Sequence, residues 1–392
     1  MSGKPSDPQT IIESTDLLSA LQNMFETDDV KSVAWSQHAP NGTVGTSGGT
    51  VSRLTGTATV GGTQHPWSLI RKKLASPQSR QATSSDELEK PSGINYWKRE
   101  YAIYRSGLLD ELPDSLAAPR CYRATETSEG CTVWLEEIRE ELPIWPLDRY
   151  GPAAQSLGAF NGHYLTQRPI PDYPWFTIDI NRQREQKNRK SLARLDELRQ
   201  QPIVRRGWPD DVTEGILRIA QERELFFQAL DRLPRVLRHA DAGRRNLLSR
   251  RGKEGQTETV AIDWGYAGIG AVGSEIAPTV VSSALWFQGV TPEQLPELEE
   301  IVFTGYLQGL RQAGWEGDAR LARLGYLCTV ALRFGIAIAI PEILALEQMN
   351  RASVKDVFGW SIEEWSDALV GIRRFVIQRA EAARQLIKEG GN

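Results

Sequence analysis

The spacing of hydrophobic and polar positions changes twice along the chain. Ile11, Ile12, Leu17, Leu18, Leu21 and Phe25 fall near helical spacing and predict a short amphipathic helix. From Val33 to Leu74 the period shortens. Strand-like runs near Val33–Ser36, Val51–Thr59 and Trp67–Leu74 are rich in Val, Thr and Trp, with glycine-dense segments between them. This reads as an antiparallel meander. Ser76 to Lys90 is polar and reads as a loop, and a helix is expected from about Ile94 to Leu109. Two further strands, Arg120–Thr125 and Cys131–Glu137, complete an expected five-stranded sheet with one helix inserted after its third strand.

Beyond Pro143 the pattern is mainly helical. Pro152–Tyr164 predicts a helix with its proline near the first turn, and Asp211–Leu233 predicts an amphipathic one. A short β excursion, Val236–Leu237, Asn246–Ser249 and Val260–Asp263, interrupts the helices. Ser274 to Glu389 is again helical, with breaks at Gly and Pro. The most apolar stretch, Leu327 to Leu346, contains Arg333, Pro341 and Glu342, so it reads as a buried helix and not a membrane span. The fold class is α+β. Residues 1–30 are expected to form a helical extension, 31–137 a small lobe of sheet plus helix, and 138–392 a larger helical lobe.

Composition narrows the class without naming a chemistry. A length of 392 residues suits two packed lobes. A formal net charge of -4 gives no electrostatic footprint for duplex nucleic acid. Cys121, Cys131 and Cys328 are odd in number and widely spaced, which argues against a disulfide framework or a zinc site and fits a reducing cytoplasm. Met1 to Thr10 is polar and does not read as a signal peptide.

Candidate chemistry concentrates in Val236–Leu248 and in Val260-Ala261-Ile262-Asp263-Trp264. An aspartate ending an apolar run is badly placed for a core, because burying an unpartnered charge is expensive, and a metal ion would be a suitable partner. Phosphoryl transfer from ATP needs an aspartate for the attacking hydroxyl, and an asparagine and second aspartate for magnesium. It also needs a lysine for the phosphates and a glutamate to hold that lysine. The spacing Asp-x4-Asn lets the base and one metal ligand share a tight loop. Asp241 and Asn246 satisfy it, and Asp263 supplies the second ligand.

The run His239-Ala240-Asp241 to Asn246, followed by Ile262-Asp263-Trp264, resembles the aminoglycoside phosphotransferase and choline kinase superfamily. Its members show H-x-D-x4-N, a short hairpin and then I-D-W. The resemblance spans roughly residues 31 to 340 and is strongest at 236–277. It implies a two-lobed, protein-kinase-like fold with ATP and Mg2+ as cofactors, and a small molecule offering a hydroxyl as acceptor. Neither nucleic acid nor membrane is expected as a partner. Asp241 would be catalytic, with Asn246 and Asp263 as metal ligands. His239 would brace the loop. Many relatives read G-x-D-L-A where this chain has Gly273-Ser274-Glu275-Ile276-Ala277; in their buried role Glu275 would support the loop backbone with one extra methylene.

In the small lobe, period-2 alternation puts Ser68, Ile70 and Lys72 on one face of the third strand. Lys72 is the expected phosphate clamp, with Lys73 as the alternative, and Glu100 the expected partner. Backbone groups from Glu136 to Ile138 would meet the adenine edge, and Gly45, Gly48 and Gly49 would cover the nucleotide.

Two other matches fail on context. Gly268 to Gly273 fits G-x-G-x-x-G, but Trp264 to Ala267 separate it from the strand end. Gly45 to Gly49 fits G-x-S-x-G, but a strand follows it and not a helix. The rival reading is a non-catalytic nucleotide-binding module, against which the intact Lys72, Asp241, Asn246 and Asp263 argue. The basic run Arg182 to Arg206 reads as a solvated helical face, with contact to an acidic or phosphorylated substrate as the alternative. An aminoglycoside would suit an acidic lobe, which Glu299, Glu300, Glu342, Glu347, Glu363, Glu364 and Asp367 could supply, with solvated helix faces as the equal alternative for those charges. Sugars, amino alcohols and other antibiotics stay open.

Overall fold

The computed structural model describes residues 8–38, 49–79, 85–140, 142–252, 257–285, 289–337 and 361–390. The chain divides into two compact units. One comprises Met1–Lys90, Asn95–Glu111 and Ala118–Arg139; the other comprises Pro91–Ile94, Leu112–Ala117 and Glu140–Asn392.

The first unit starts with α1 (Pro8–Phe25), followed by β1 (Val30–His38), β2 (Thr50–Val60) and β3 (Thr63–Ala75). After α2 (Ser85–Glu89) and α3 (Arg99–Arg105), and past β4 (Leu116–Ala117) of the second unit, come β5 (Cys121–Thr127) and β6 (Gly130–Glu136). The antiparallel sheet has the order β1-β2-β3-β6-β5. Alternation sends Leu54 and Ala58 of β2, and Trp67 and Leu69 of β3, into one core with Leu17, Ala20 and Leu21 of α1. Burying each such leucine contributes about 1.5–3 kcal/mol. Lys72 has the opposite parity on β3 to Trp67 and Leu69, so α1 covers the face that Lys72 does not occupy.

The expected helix from Ile94 to Leu109 is shorter. Its α-helical part is Arg99–Arg105, and Gly107 at φ 78° turns the chain into a 3-10 turn at Leu108–Glu111.

The second unit contains α4 (Tyr150–Thr166), β7 (Thr177–Ile178), α5 (Ile180–Leu192), α6 (Leu195–Leu198), α7 (Pro202–Gly207), α8 (Asp210–Gln221) and α9 (Arg223–Asp231). Next come β8 (Arg235–Arg238), β9 (Leu247–Arg251), β10 (Thr257–Ala261) and β11 (Gly268–Ala271). The helices α10 (Ala277–Leu285), α11 (Leu295–Gln312), α12 (Ala319–Thr329) and α13 (Ile362–Gly390) follow, with a π-helical stretch at Val330–Ala337. Asp211–Leu233 is thus two helices. They meet at Glu222, which leaves helical geometry at φ -92°, ψ 10° and accepts hydrogen bonds from Arg218 and Arg384.

Two small sheets position the chemistry. In one, β9 and β10 form a hairpin and β4 lies parallel on β10; in the other, β11 lies between β7 and β8. The G-x-G-x-x-G match therefore falls partly on a strand. A Cβ on Gly270 would lie 2.1 Å from the Arg238 guanidinium carbon, so this glycine makes room for a buried arginine.

Helices α4 and α11 pack backbone to backbone. A Cβ on Gly309 would sit 2.0 Å from the Gln155 carbonyl oxygen. This closeness lets the Tyr306 hydroxyl donate to Asn161 Oδ1 at 2.7 Å and accept from the Gly273 N–H at 3.0 Å. Asn161 Nδ2 in turn donates to the Leu237 carbonyl at 2.9 Å. The helix pair thereby anchors β8 and the turn at Gly273, the two segments that carry the loop described next.

Among the described residues no helix is long and apolar enough to cross a membrane. The three cysteines are free thiols, and burial pushes Cys121 and Cys131 up to about 11, so neither is a ready thiolate.

Candidate active site

In the first unit, Lys72 Nζ lies 2.6 Å from Glu100 Oε1, with the two side chains only 14% and 7% exposed. The register sets this up. Lys72 pairs with Val51 and Val133 across the sheet, and Glu100 sits buried in the first turn of α3. Gly49 precedes β2 so closely to β3 that a Cβ there would lie 2.7 Å from the Lys73 carbonyl oxygen. Gly45 and Gly48 lie outside the described residues. Glu136 ends β6. Its N–H donates to the Arg120 carbonyl at 2.9 Å, and its Oε2 accepts the Arg120 N–H at 3.2 Å. Ile138 follows two residues later and is half-buried. Between them Glu137 accepts both arms of Arg53, at 2.5 and 3.2 Å.

In the second unit β8 delivers the chain to His239. Ala240 takes φ 64°, a conformation that costs a non-glycine residue about 1–2 kcal/mol. The buried Glu275 carboxylate holds it there, accepting the His239 N–H at 2.7 Å and the Ala240 N–H at 3.1 Å. The His239 ring is used at both nitrogens. Nδ1 accepts the Asp241 N–H at 3.2 Å, which leaves Nε2 as the protonated nitrogen donating to the Ile262 carbonyl at 2.8 Å. His239 braces the loop, as its position in the motif implies.

Asn246 closes the loop. Its Nδ2 donates to the Asp241 carbonyl at 2.9 Å and to Asp241 Oδ2 at 3.0 Å. The Asn246 carbonyl accepts the Ile262 N–H at 2.9 Å, which draws in the residue before Asp263. The expected strand Val260–Asp263 stops at Ala261, because Asp263 is left-handed at φ 62°, ψ 63°. Trp264 then buries its ring against His239, with centroids 4.6 Å apart. Asp241, Asn246 and Asp263 are thus carried by one hydrogen-bonded pair of segments.

Two arginines enlarge this picture. Arg333, from the π-helical stretch, donates to Asp241 Oδ1 and, at 2.7 Å, to the Ala240 carbonyl. An arginine inside the most apolar run of the sequence was the available signal for it. Arg244, within the loop, points the other way. It donates to the Leu142 carbonyl at 2.8 Å and the Leu247 carbonyl at 2.9 Å, and lies 4.2 Å over the Trp145 ring. It is a structural brace.

Among the described residues no group of three His, Cys, Asp or Glu could hold a metal. Magnesium in phosphoryl-transfer sites takes one or two protein carboxylates, with waters and substrate phosphates completing the shell. The Asp263 carboxylate is a hard oxygen donor. So is the Asn246 Oδ1, whose amide nitrogen is already engaged by Asp241. That donor set fits a magnesium ion shared with nucleotide phosphates.

Glu275→Ala would strip two buried N–H groups of their acceptor. At about 1–3 kcal/mol each, unfolding free energy should fall by about 2–6 kcal/mol in urea denaturation. Glu275→Asp should recover part of that. A loss below about 1 kcal/mol for the alanine variant would contradict the bracing role.

The family model described as "Phosphotransferase enzyme family" matches residues 108–316. No curated protein matches the sequence. Among solved structures, a choline kinase from Cryptosporidium parvum is 13% identical, covers 98% of this chain and 97% of its own, and gives a TM-score of 0.51, a similarity of fold alone. Amicoumacin kinase in complex with AMP-PNP, Ca2+ and its ligand is 18% identical over 95% of this chain and 93% of its own, at a TM-score of 0.47. A Plasmodium vivax ethanolamine kinase is 14% identical over 95% and 91%, also at 0.47.

Proposed function

The chain belongs to the phosphotransferase enzyme family, and we propose that it moves the γ-phosphate of ATP to a hydroxyl of a small molecule. The reading rests above all on the closed loop in which Asn246 bonds Asp241 and its backbone bonds Ile262. This is the arrangement that phosphoryl transfer needs, because catalysis there is positioning plus charge stabilisation, with little covalent work for the protein.

Asp241 would orient the acceptor hydroxyl and take its proton. Arg333 fixes the direction of that carboxylate from one side and Asn246 from the other. Asn246 and Asp263 would hold Mg2+, which when bound neutralises charge on the phosphates. Lys72, pinned by Glu100, would clamp phosphate oxygens. Backbone groups at Glu136 and Ile138 would meet the adenine, and Gly48 and Gly49 would cover the nucleotide.

The test is label transfer from [γ-32P]ATP with Mg2+ over a panel of amino alcohols, sugars, polyols and antibiotics. Label should appear on an acceptor in the presence of the wild-type chain. Lys72→Ala should lower kcat/KM for ATP by about 10–100-fold, the loss of one charge-assisted contact. Magnesium-dependent nucleotide binding with no transfer to any acceptor would favour a non-catalytic nucleotide-binding module instead.

A further inference from the structure

We propose that the acceptor carries an anionic group, a carboxylate or a phosphate, close to the hydroxyl that is phosphorylated, and that Arg184 receives it beside Asp241. The inference rests on the kinase reading of Asp241 and adds the class of acceptor.

Arg184 lies on α5, which packs on the π-helical stretch that supplies Arg333. Its guanidinium sits 5.1 Å over the ring of Tyr266, three residues past Asp263. Its Nη1 is buried and has no hydrogen-bond partner among the described residues. A buried donor without an acceptor is costly and is rare in native structures unless a ligand completes it. Burial brings its pKa down to about 10, with the neighbouring Arg333 adding to the effect and Asp241 opposing it. The side chain therefore stays charged at neutral pH.

Arg333 and Arg238 each keep a buried Nε unmatched as well, but both spend their terminal nitrogens on the protein, whereas Arg184 has a terminal nitrogen unmatched among the described residues. Arg333 is committed to Asp241 and the Ala240 carbonyl, and Arg238 to Ser274 Oγ and the Ile269 carbonyl. On the same helix as Arg184, Arg182 is committed to Glu224 and Asp231. Asp241 is thus bonded by Arg333 and lies within the electrostatic reach of Arg184 as well.

Four of the seven acids that could have welcomed a cationic acceptor are held by other groups of the protein. Glu299 is buried against Arg379 at 2.5 Å, Glu300 pairs with Arg323 at 2.6 Å and Asp367 with Arg206 at 2.6 Å. Glu364 accepts the Ser361 N–H and hydroxyl. Glu342 and Glu347 lie outside the described residues. A quaternary ammonium or amino sugar would bring a further positive charge to Arg184 and Arg333. A carboxylate or phosphate would instead meet the planar donor fork that suits it best. In the transfer itself the acceptor oxygen bonds to the γ-phosphorus, its proton goes to Asp241, and the bond to the β-phosphate oxygen breaks to release ADP.

The decisive measurement is calorimetric titration of the full chain, without nucleotide and at low ionic strength. The probes are D-glycerate, glycerol 3-phosphate, glycerol and choline. At least one of the two anions should bind about tenfold or more tightly than glycerol and choline, and the two anionic arms separate carboxylate from phosphate recognition. Arg184→Met should erase that preference, and Arg184→Lys should keep part of it, since the charge remains but the fork is lost. Preference for choline, equal binding of all four probes, binding of none, or an undiminished anion preference in a folded Arg184→Met variant would each overturn the proposal. Because nucleotide is absent, the outcomes separate. Anion selectivity with no label transfer to either anion supports the recognition site and counts against the kinase reading. Label transfer to choline alone overturns the anionic class and upholds the kinase.

Discussion

Asp263→Ala should lower Mg-ATP turnover by about 10³-fold or more with any acceptor, because it removes the one carboxylate assigned to the metal. The neighbouring ligand cannot substitute. Asn246 contributes a neutral oxygen, and its amide nitrogen is fixed by Asp241. The backbone adds a second effect that has to be separated from the first. Asp263 is left-handed, at φ 62°, where aspartate and asparagine are tolerated and alanine costs about 1–2 kcal/mol. Asp263→Asn keeps the shape and the backbone preference while removing the charge. If the carboxylate acts on magnesium, Asn and Ala variants should both lose turnover, and the Asn variant should keep its Tm. Steady-state ADP release and a thermal melt on both variants decide the matter. Wild-type turnover in either variant would remove Asp263 from the site.

How far this was visible in the sequence depends on whether a residue's role is local. The sheet of the first unit was legible because β2 and β3 alternate over many residues. The same alternation favours Lys72 with Lys73 as the alternative, and the structure sets Lys72 against Glu100. Loop closure within Asp241 to Asn246 was legible too, since both groups lie on one turn. The two-residue strands β4 and β7 were not, because neither is long enough to show a period and each exists only as a parallel partner to a distant strand. The break at Glu222 was hidden for a similar reason. The apolar stripe continues through it, while the arginine that takes its carboxylate comes 162 residues later. Arg333 and Arg184 reach the neighbourhood of Asp241 from other helices, so no spacing within the loop could announce them. The acidic residues of the late helices stay open in the sequence between a substrate-facing surface and solvated helix faces. Composition counts them as free charge, yet Glu299, Glu300 and Asp367 are each neutralised by an arginine.

Asp241→Asn should lower kcat by about 10²–10⁴-fold, the range for removing a positioned general base, with KM for ATP nearly unchanged because Asp241 is assigned to the acceptor. The substitution is isosteric but not innocent. Asp241 Oδ2 accepts from Asn246 and Oδ1 accepts from Arg333. An asparagine offers one acceptor and one donor to those same two partners, so either orientation of its amide sets a donor against a donor. Arg333 is buried and would lose its ionic partner, so a stability loss of about 1.5–3 kcal/mol should accompany the kinetic one. The two effects are told apart by temperature and by saturation. A purely structural defect shrinks the active fraction, which a thermal melt measures, and the surviving molecules turn over normally. A lost base slows every folded molecule at saturating ATP and acceptor. If kcat per folded molecule stays within about threefold of wild type, Asp241 is a loop-closing residue and the proton must go elsewhere. If it falls by the expected factor while ATP binding holds, the carboxylate that Arg333 and Asn246 orient is the group that receives the acceptor proton.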